Sequence, residues 1–231
     1  MFASTSCQRR LSYNWSVNRK TIVRKFRLIG KMSQSQLMIT QAGFTPAVAI
    51  QFDDMESFEH TRCKPIAIPV VVESKTRRIL GISTASMPAK GLLAPIAHKK
   101  YGPRLDERKQ VREKLFEEIR HLVSPYALIE SDMHTQYPAS VRKFFPKACH
   151  KVYKGRKPAA NGQGELKRGG HDPLFWLNHT CAQIRADVSR LIRKTWNTTK
   201  RMDQLKLHLA IAALHHNERV LKLDVWPAPD G

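Results

Sequence analysis

The sequence predicts an α/β protein, a mixed sheet flanked by helices, and three observations predict it. Apolar runs rich in Val and Ile alternate with longer segments of helical period. The first three runs follow one another closely, with turn residues between them, as antiparallel strands do. Two of the runs end in acids, at Asp53 and at Asp132, where a core strand gains nothing from a carboxylate unless something neutralises it.

Residues 1–31 read as a fragment of a helix-turn-helix. Gln8–Tyr13 (QRRLSY) makes a short helix, Asn14–Val17 a turn, and Asn18 stands where an N-cap belongs before RKTIVRKFRLIG. Its side chain is suited to accept a bond from the amide of Lys20 or Thr21. Ile22, Phe26 and Ile29 form one apolar face, with Arg19, Lys20, Arg24, Lys25 and Arg27 over the rest. A recognition helix offers its N-terminal residues to base edges, so Arg19, Lys20 and Thr21 are the DNA-contact candidates, with Asn18 and Arg24 beside them. A solvated basic helix is the equal alternative. Little precedes Gln8, so the expectation is a unit that lacks its first helix. Residues 32–46 are expected to be a linker.

Ala47–Phe52 is the first strand, in the stretch AVAIQFDDME, and PIAIPVVVE after Cys63 is the second. Pro69 within it points to an edge or a bulge, because proline cannot donate to a ladder. RRILGISTAS is the third strand, and Ala89–Arg104, with its Gly and Pro, reads as irregular. Leu105–Val123 is the clearest helix, with Val111, Leu115, Ile119 and Leu122 on one face and stopped by Ser124 and Pro125. YALIESDMH is a fourth strand, Ala139–Phe145 a short helix and His150–Tyr153 a last short strand. Lys154–Asp172 is rich in Gly, Lys and Arg and is expected to be a mobile loop. A long helix begins at Pro173 with Leu177, Cys181, Ile184, Val188 and Leu191 on one side; another spans Asp203–Asn217, and residues 218–231 read as a tail.

Composition narrows the function. Among 231 residues there are 40 Lys and Arg against 19 Asp and Glu, a formal charge of +21, which favours a polyphosphate partner. A merely basic surface is the plainer alternative. The hydrophobic share of 42% suits a globular chain, and no apolar run is long enough to span a bilayer, so no membrane partner is expected. Cys7, Cys63, Cys149 and Cys181 form no C-x-x-C pair, which argues against a zinc knuckle and a disulfide scaffold and fits a reducing cytoplasm.

The element order, three strands, helix, strand, helix, strand, helix, is that of an RNase H-like core. In that fold the first and fourth strands are neighbours, so Asp53 and Asp132 would meet and share Mg²⁺ or Mn²⁺, hard cations that take oxygen ligands. Three segments then carry a resemblance. FDDMESFEHTRCKPIAIPVVVESKTRRILG, SDMHTQYP and LNHTCAQIRADVSRLIRKTWNTTK resemble the two acid-bearing segments and the C-terminal helix of insertion-sequence transposases of the DDE type, in the branch with a short catalytic domain. With the N-terminal fragment, the likeness covers most of residues 7–217, and it implies an RNase H-like catalytic domain at 47–217.

The resemblance implies a metal-dependent transposase that binds inverted-repeat ends and a target, acts as a homo-oligomer on double-stranded DNA and works in a bacterial cytoplasm at the nucleoid. It places the catalytic metal ligands on Asp53, Asp132 and, where the family has an acid, Asn178, giving a D-D-N set. An amide oxygen can hold a hard cation without contributing charge. Asp172, at the mouth of the same helix, is the second choice, and Asp187 a third that more often is simply solvated. Arg185 resembles a residue that holds substrate phosphate near the metals, and His179 is a possible assistant. Lys167 and Arg168 of the glycine-rich loop, with Arg190, Arg193 and Lys194 of the helical segment, are expected to grip phosphates without reading sequence. Asp54 falls on the opposite strand face from Asp53, and Asp54 or Glu56 is expected to be exposed. A zinc site of Asp132 with His134 and His171 lacks a spacing signature. Two alternatives stay open: a basic DNA-binding protein with degenerate catalytic machinery, and an RNase H-like nuclease.

Overall fold

The computed structural model describes residues 2–4, 6–154, 172–192 and 197–222. It is a mixed α/β arrangement. Helices α1 (Gln8–Asn14) and α2 (Arg19–Ala42) precede strands β1 (Ala47–Phe58), β2 (Pro65–Glu73), β3 (Ile79–Ile82) and β4 (Ala85–Ser86). Then come α3 (Leu93–Tyr101), α4 (Arg108–Ile119), β5 (Val123–Asp132), α5 (Tyr137–Phe144), β6 (Cys149–Tyr153), α6 (Phe175–Asp187) and α7 (Met202–Leu221). The six strands form one sheet in the order β3-β2-β1-β5-β6, with β4 also paired to β2. The β1–β2 and β2–β3 pairs are antiparallel, whereas β1–β5 and β5–β6 are parallel. β1 therefore lies at the seam between the two halves of the sheet.

Helices cover both faces. On one, Ile50 and Phe52 of β1 pack with Leu115, Phe116 and Ile119 of α4 and Val141 and Phe144 of α5. On the other, Met55 of β1 and Ile68, Val70 and Val72 of β2 pack with Leu177, Cys181 and Ile184 of α6 and Leu205 and Leu209 of α7. The two-residue strand period sends neighbouring β1 side chains into different cores. Asn217 of α7 reaches the sheet edge: its Oδ1 accepts from the Ile79 N–H at 2.7 Å and its Nδ2 donates to the Ile79 carbonyl at 3.0 Å.

Several sequence expectations change here. The linker expected at 32–46 is helical as far as Ala42, because α2 lies along α7 and is stabilised by that packing rather than by its own weak pattern. The approach is close at Gly30, where a Cβ would stand 2.7 Å from that of Leu207. β1 does not end at the acids; it continues to Phe58, because β2 pairs with it as far as Phe58↔Pro65. The segment expected to be irregular before Arg104 contains α3. The helix expected over Leu105–Val123 is shorter, Arg108–Ile119 followed by a 3-10 turn, and Ser124 and Pro125 lie inside β5. Pro69 is in an interior strand, opposite a local break between β3 and β4: Ser83 donates to the Pro69 carbonyl at 3.1 Å, and no reciprocal bond forms because Pro69 has no N–H. The expected glycine-rich loop, with Lys167 and Arg168, lies outside the described residues, as do His171, Arg193 and Lys194. Among the described residues no helix is long and apolar enough to cross a membrane.

Candidate active site

Asp53 and Asp132 are brought together by the parallel pairing of β1 and β5, whose last rung is Phe52↔Ser131. Each acid follows that rung on its own strand. Asp53 accepts two hydrogen bonds on one oxygen, Oδ1: from the Asp54 amide at 2.7 Å and from the Tyr137 hydroxyl at 3.0 Å. Asp132 Oδ1 accepts from the His134 amide at 3.2 Å. Among the described residues, the second oxygen of each carboxylate makes no hydrogen bond. Burial, and then the charge of Asp132, push the Asp53 carboxyl up to about 6, against the pull of its two hydrogen bonds.

Asp54 points to the other face, as the strand period requires, yet it is not exposed. It meets Arg112 of α4, whose guanidinium is fully buried, at 3.7 Å. Burial pushes Asp54 up to about 6, although Arg112 and Arg108 both favour its charged form. Arg112 also lies over the Tyr137 ring at 4.7 Å and donates to Gln136 at 3.3 Å, while its Nε and Nη1 make no hydrogen bond among the described residues. Tyr137 sits between the two faces. Burial, then Asp54, Asp53 and Asp132, raise its hydroxyl well above the usual range, so it stays protonated and donates. His134 stacks on its ring at 4.7 Å. Glu56, one pleat further along β1, is exposed and paired with Lys90 at 2.9 Å.

The helix expected to supply the third ligand is fastened to β1 by Gln51. Its Oε1 accepts from the Leu177 amide at 3.0 Å, and its Nε2 donates to the Pro173 carbonyl at 2.8 Å and to Glu130 at 2.9 Å. Asn178 is exposed on α6, and its Nδ2 donates to Asp172 at 2.9 Å. Asp172 in turn accepts from the Leu174 amide at 3.0 Å. Asn178 and Asp172, offered as alternatives by the sequence, are thus partners. His179 is occupied with Arg77 at 2.7 Å, on the side of α6 toward the β2–β3 turn. Arg185 influences Cys181, whose thiol burial pushes up to about 12, with Arg185 opposing and Asp53 adding to the rise. Asp187 pairs with Arg219 of α7 at 3.8 Å.

Of the DNA-contact candidates, Arg19, Lys20, Thr21 and Arg24 are exposed on α2, and Asn18 Oδ1 caps the helix by accepting from the Lys20 amide at 2.8 Å. Arg190 lies over the buried Phe26 ring at 5.5 Å rather than on an open helix face. A short 3-10 turn, Ser189–Leu191, replaces the end of the long helix and turns Arg190 inward.

Tyr137, Arg112 and Gln51 are the residues that sequence reasoning gave no role. Tyr137 was visible as the aromatic that closes SDMHTQYP. Arg112 falls between Val111 and Leu115 on the clearest helix, where an arginine reads as surface. Gln51 is a polar residue inside an apolar strand, and that was its signal.

The donor set suits a hard divalent cation in part. Two mutually repelling, half-buried carboxylates each keep an oxygen, and the Asn178 amide bonds to Asp172 through nitrogen rather than oxygen. Among the described residues, no group of three His, Cys, Asp or Glu side chains is arranged to hold one metal ion. No protein-family model matches the sequence, and no curated protein matches it.

Proposed function

We propose that the protein is a DNA transposase of the DDE type with an RNase H-like core, in which Asp53 and Asp132 hold Mg²⁺ or Mn²⁺ and Asn178 completes a D-D-N set. One observation carries the reading: two half-buried aspartates at the last rung of a parallel strand pair, each with an oxygen to spare. The strand order and the charge of +21 support it. Bound there, the cations would stabilise charge on the attacking and leaving oxygens at phosphorus. The chain's own part is to hold the ligands. Tyr137 holds one oxygen of Asp53 and leaves the other without a hydrogen bond among the described residues, and Gln51 ties the start of α6 to β1. In the reaction, water displaces the 3′-oxygen from phosphorus at the element end, and the freed 3′-hydroxyl then attacks a target phosphodiester, releasing the target's own 3′-hydroxyl. Assembly as a homo-oligomer on paired DNA ends, in a bacterial cytoplasm at the nucleoid, belongs to the same proposal.

The test is strand transfer on an end-bearing duplex with Mg²⁺. Asp53→Ala and Asp132→Ala should each reduce products to background, and full activity in either overturns the assignment. A second reading, a DNA-binding protein with degenerate catalysis, is favoured by the lack of a third acid at the cluster among the described residues. It predicts DNA binding with no metal-dependent products at any Mg²⁺ concentration. Cleavage without transfer would instead identify a nuclease.

A further inference from the structure

On the side of the molecule where α2 packs on α7, a cleft of about 710 Å³ opens between the N-terminal helices and the chain that enters α7. Arg10 of α1, Arg19 and Arg27 of α2, Arg190, and Lys200 and Arg201 before α7 all line it. Of these six, among the described residues, only Arg201 has a carboxylate partner, Asp203 at 2.6 Å. Arg190 is the most telling. It lies over the Phe26 ring, itself clasped edge-on by Phe2 and His208, and makes no ion pair among the described residues. Burial draws its guanidinium down to about 10, with Asp203 opposing. A half-buried cation with no ion pair among the described residues is costly, and an anion in the cleft would relieve it. The side chains come from parts of the chain far apart in sequence, so the fold rather than a local basic run assembles them.

We propose that this cleft is a metal-independent binding site for the phosphates of duplex DNA, with Arg190 as its inner anchor and Arg10, Arg27 and Lys200 as its outer contacts. It rests on the reading of DNA as the partner, but not on catalysis. The cleft would clamp one backbone between the N-terminal helices and the α7 entry, fixing their joint orientation on the duplex without reading sequence.

The experiment is binding of the full chain to a random-sequence duplex, without divalent metal, over a range of salt. Each lost phosphate contact lowers the slope of log affinity against log salt by about 0.9. Arg10→Gln, Arg27→Gln and Lys200→Gln combined should lower it by about 2–3. Arg190→Gln should weaken binding by itself, with Arg190→Lys restoring part of it. Lys109→Gln, Lys114→Gln and Arg120→Gln, the same charge change on the exposed surface around α4, should leave the slope within about one of wild type. An equal loss in both triple variants, or none in the cleft triple, overturns the site. Binding is read without divalent metal and strand transfer in separate reactions with Mg²⁺, so failure of strand transfer and failure of the cleft appear as separate results.

Discussion

At the acidic cluster like charges are gathered by strand pairing; at the cationic cleft they are gathered by helix packing. β1 and β5 leave Asp53 and Asp132 no choice but to face each other, since both follow the last shared rung. The arginines of the cleft meet only because α2 lies along α7. Burial then acts on both with opposite signs. It drives Asp53 and Asp54 up to about 6, and draws Arg190 down to about 10 and His208 down to about 3. In each place the ionised form is disfavoured, and an opposite charge from outside would restore it. The strand-built cluster suits a small hard cation, and the wider, helix-built cleft suits an extended anion.

Three experiments test this contrast. Arg112→Ala should have the largest effect, about 3 kcal/mol or more in chemical denaturation, because it leaves Asp54 half-buried with its nearest counter-charge gone. A loss below about 1 kcal/mol would mean that Asp54 is already neutral in the fold. Asp53→Asn should stabilise. A carboxyl raised to about 6 costs nothing below its ordinary 3.8 and its full penalty above about 6. The variant's advantage, on the order of 2 kcal/mol at pH 7.5, should therefore vanish by pH 4, and adding Mg²⁺ should narrow it at neutral pH by stabilising wild type. An advantage independent of pH would refute the electrostatic origin. His208 should show the reverse. Its folded form stays neutral to about 3, so below its ordinary 6.5 only the unfolded chain gains the proton. Relative to His208→Gln, wild type should lose about 2 kcal/mol between pH 6.5 and pH 5, and a flat difference would place His208 in contact with water.

The sheet was largely legible in the sequence, because β2 is a continuous Val- and Ile-rich run and β5 holds the short apolar run 127–129 ahead of its acids. Asp53 and Asp132 were legible for the same reason, as acids where an apolar run should have continued. The Asn18 cap was legible because its chemistry is local. α3 was not, since its Gly and Pro neighbours outweigh nine residues of weak pattern. The second half of α2 was not, because its helicity depends on α7, far away in sequence. The Asp54–Arg112 contact joins a strand to a helix, and no spacing rule encodes it. Arg190 misled for a similar reason: a helical wheel puts it outside, but the turn at Ser189 places it over Phe26.

Pro69 has one more effect. Its amide-less nitrogen faces the gap between Ile82 and Ala85, where no ladder bond is missed. Sliding β2 by two residues would keep every side chain on its own face, so burial alone would not oppose it. The slide would, however, bring the proline against a strand carbonyl that needs a donor. The proline thus acts as an index mark for the outer half of the sheet: it fixes which rung of β2 stands at the gap between β3 and β4.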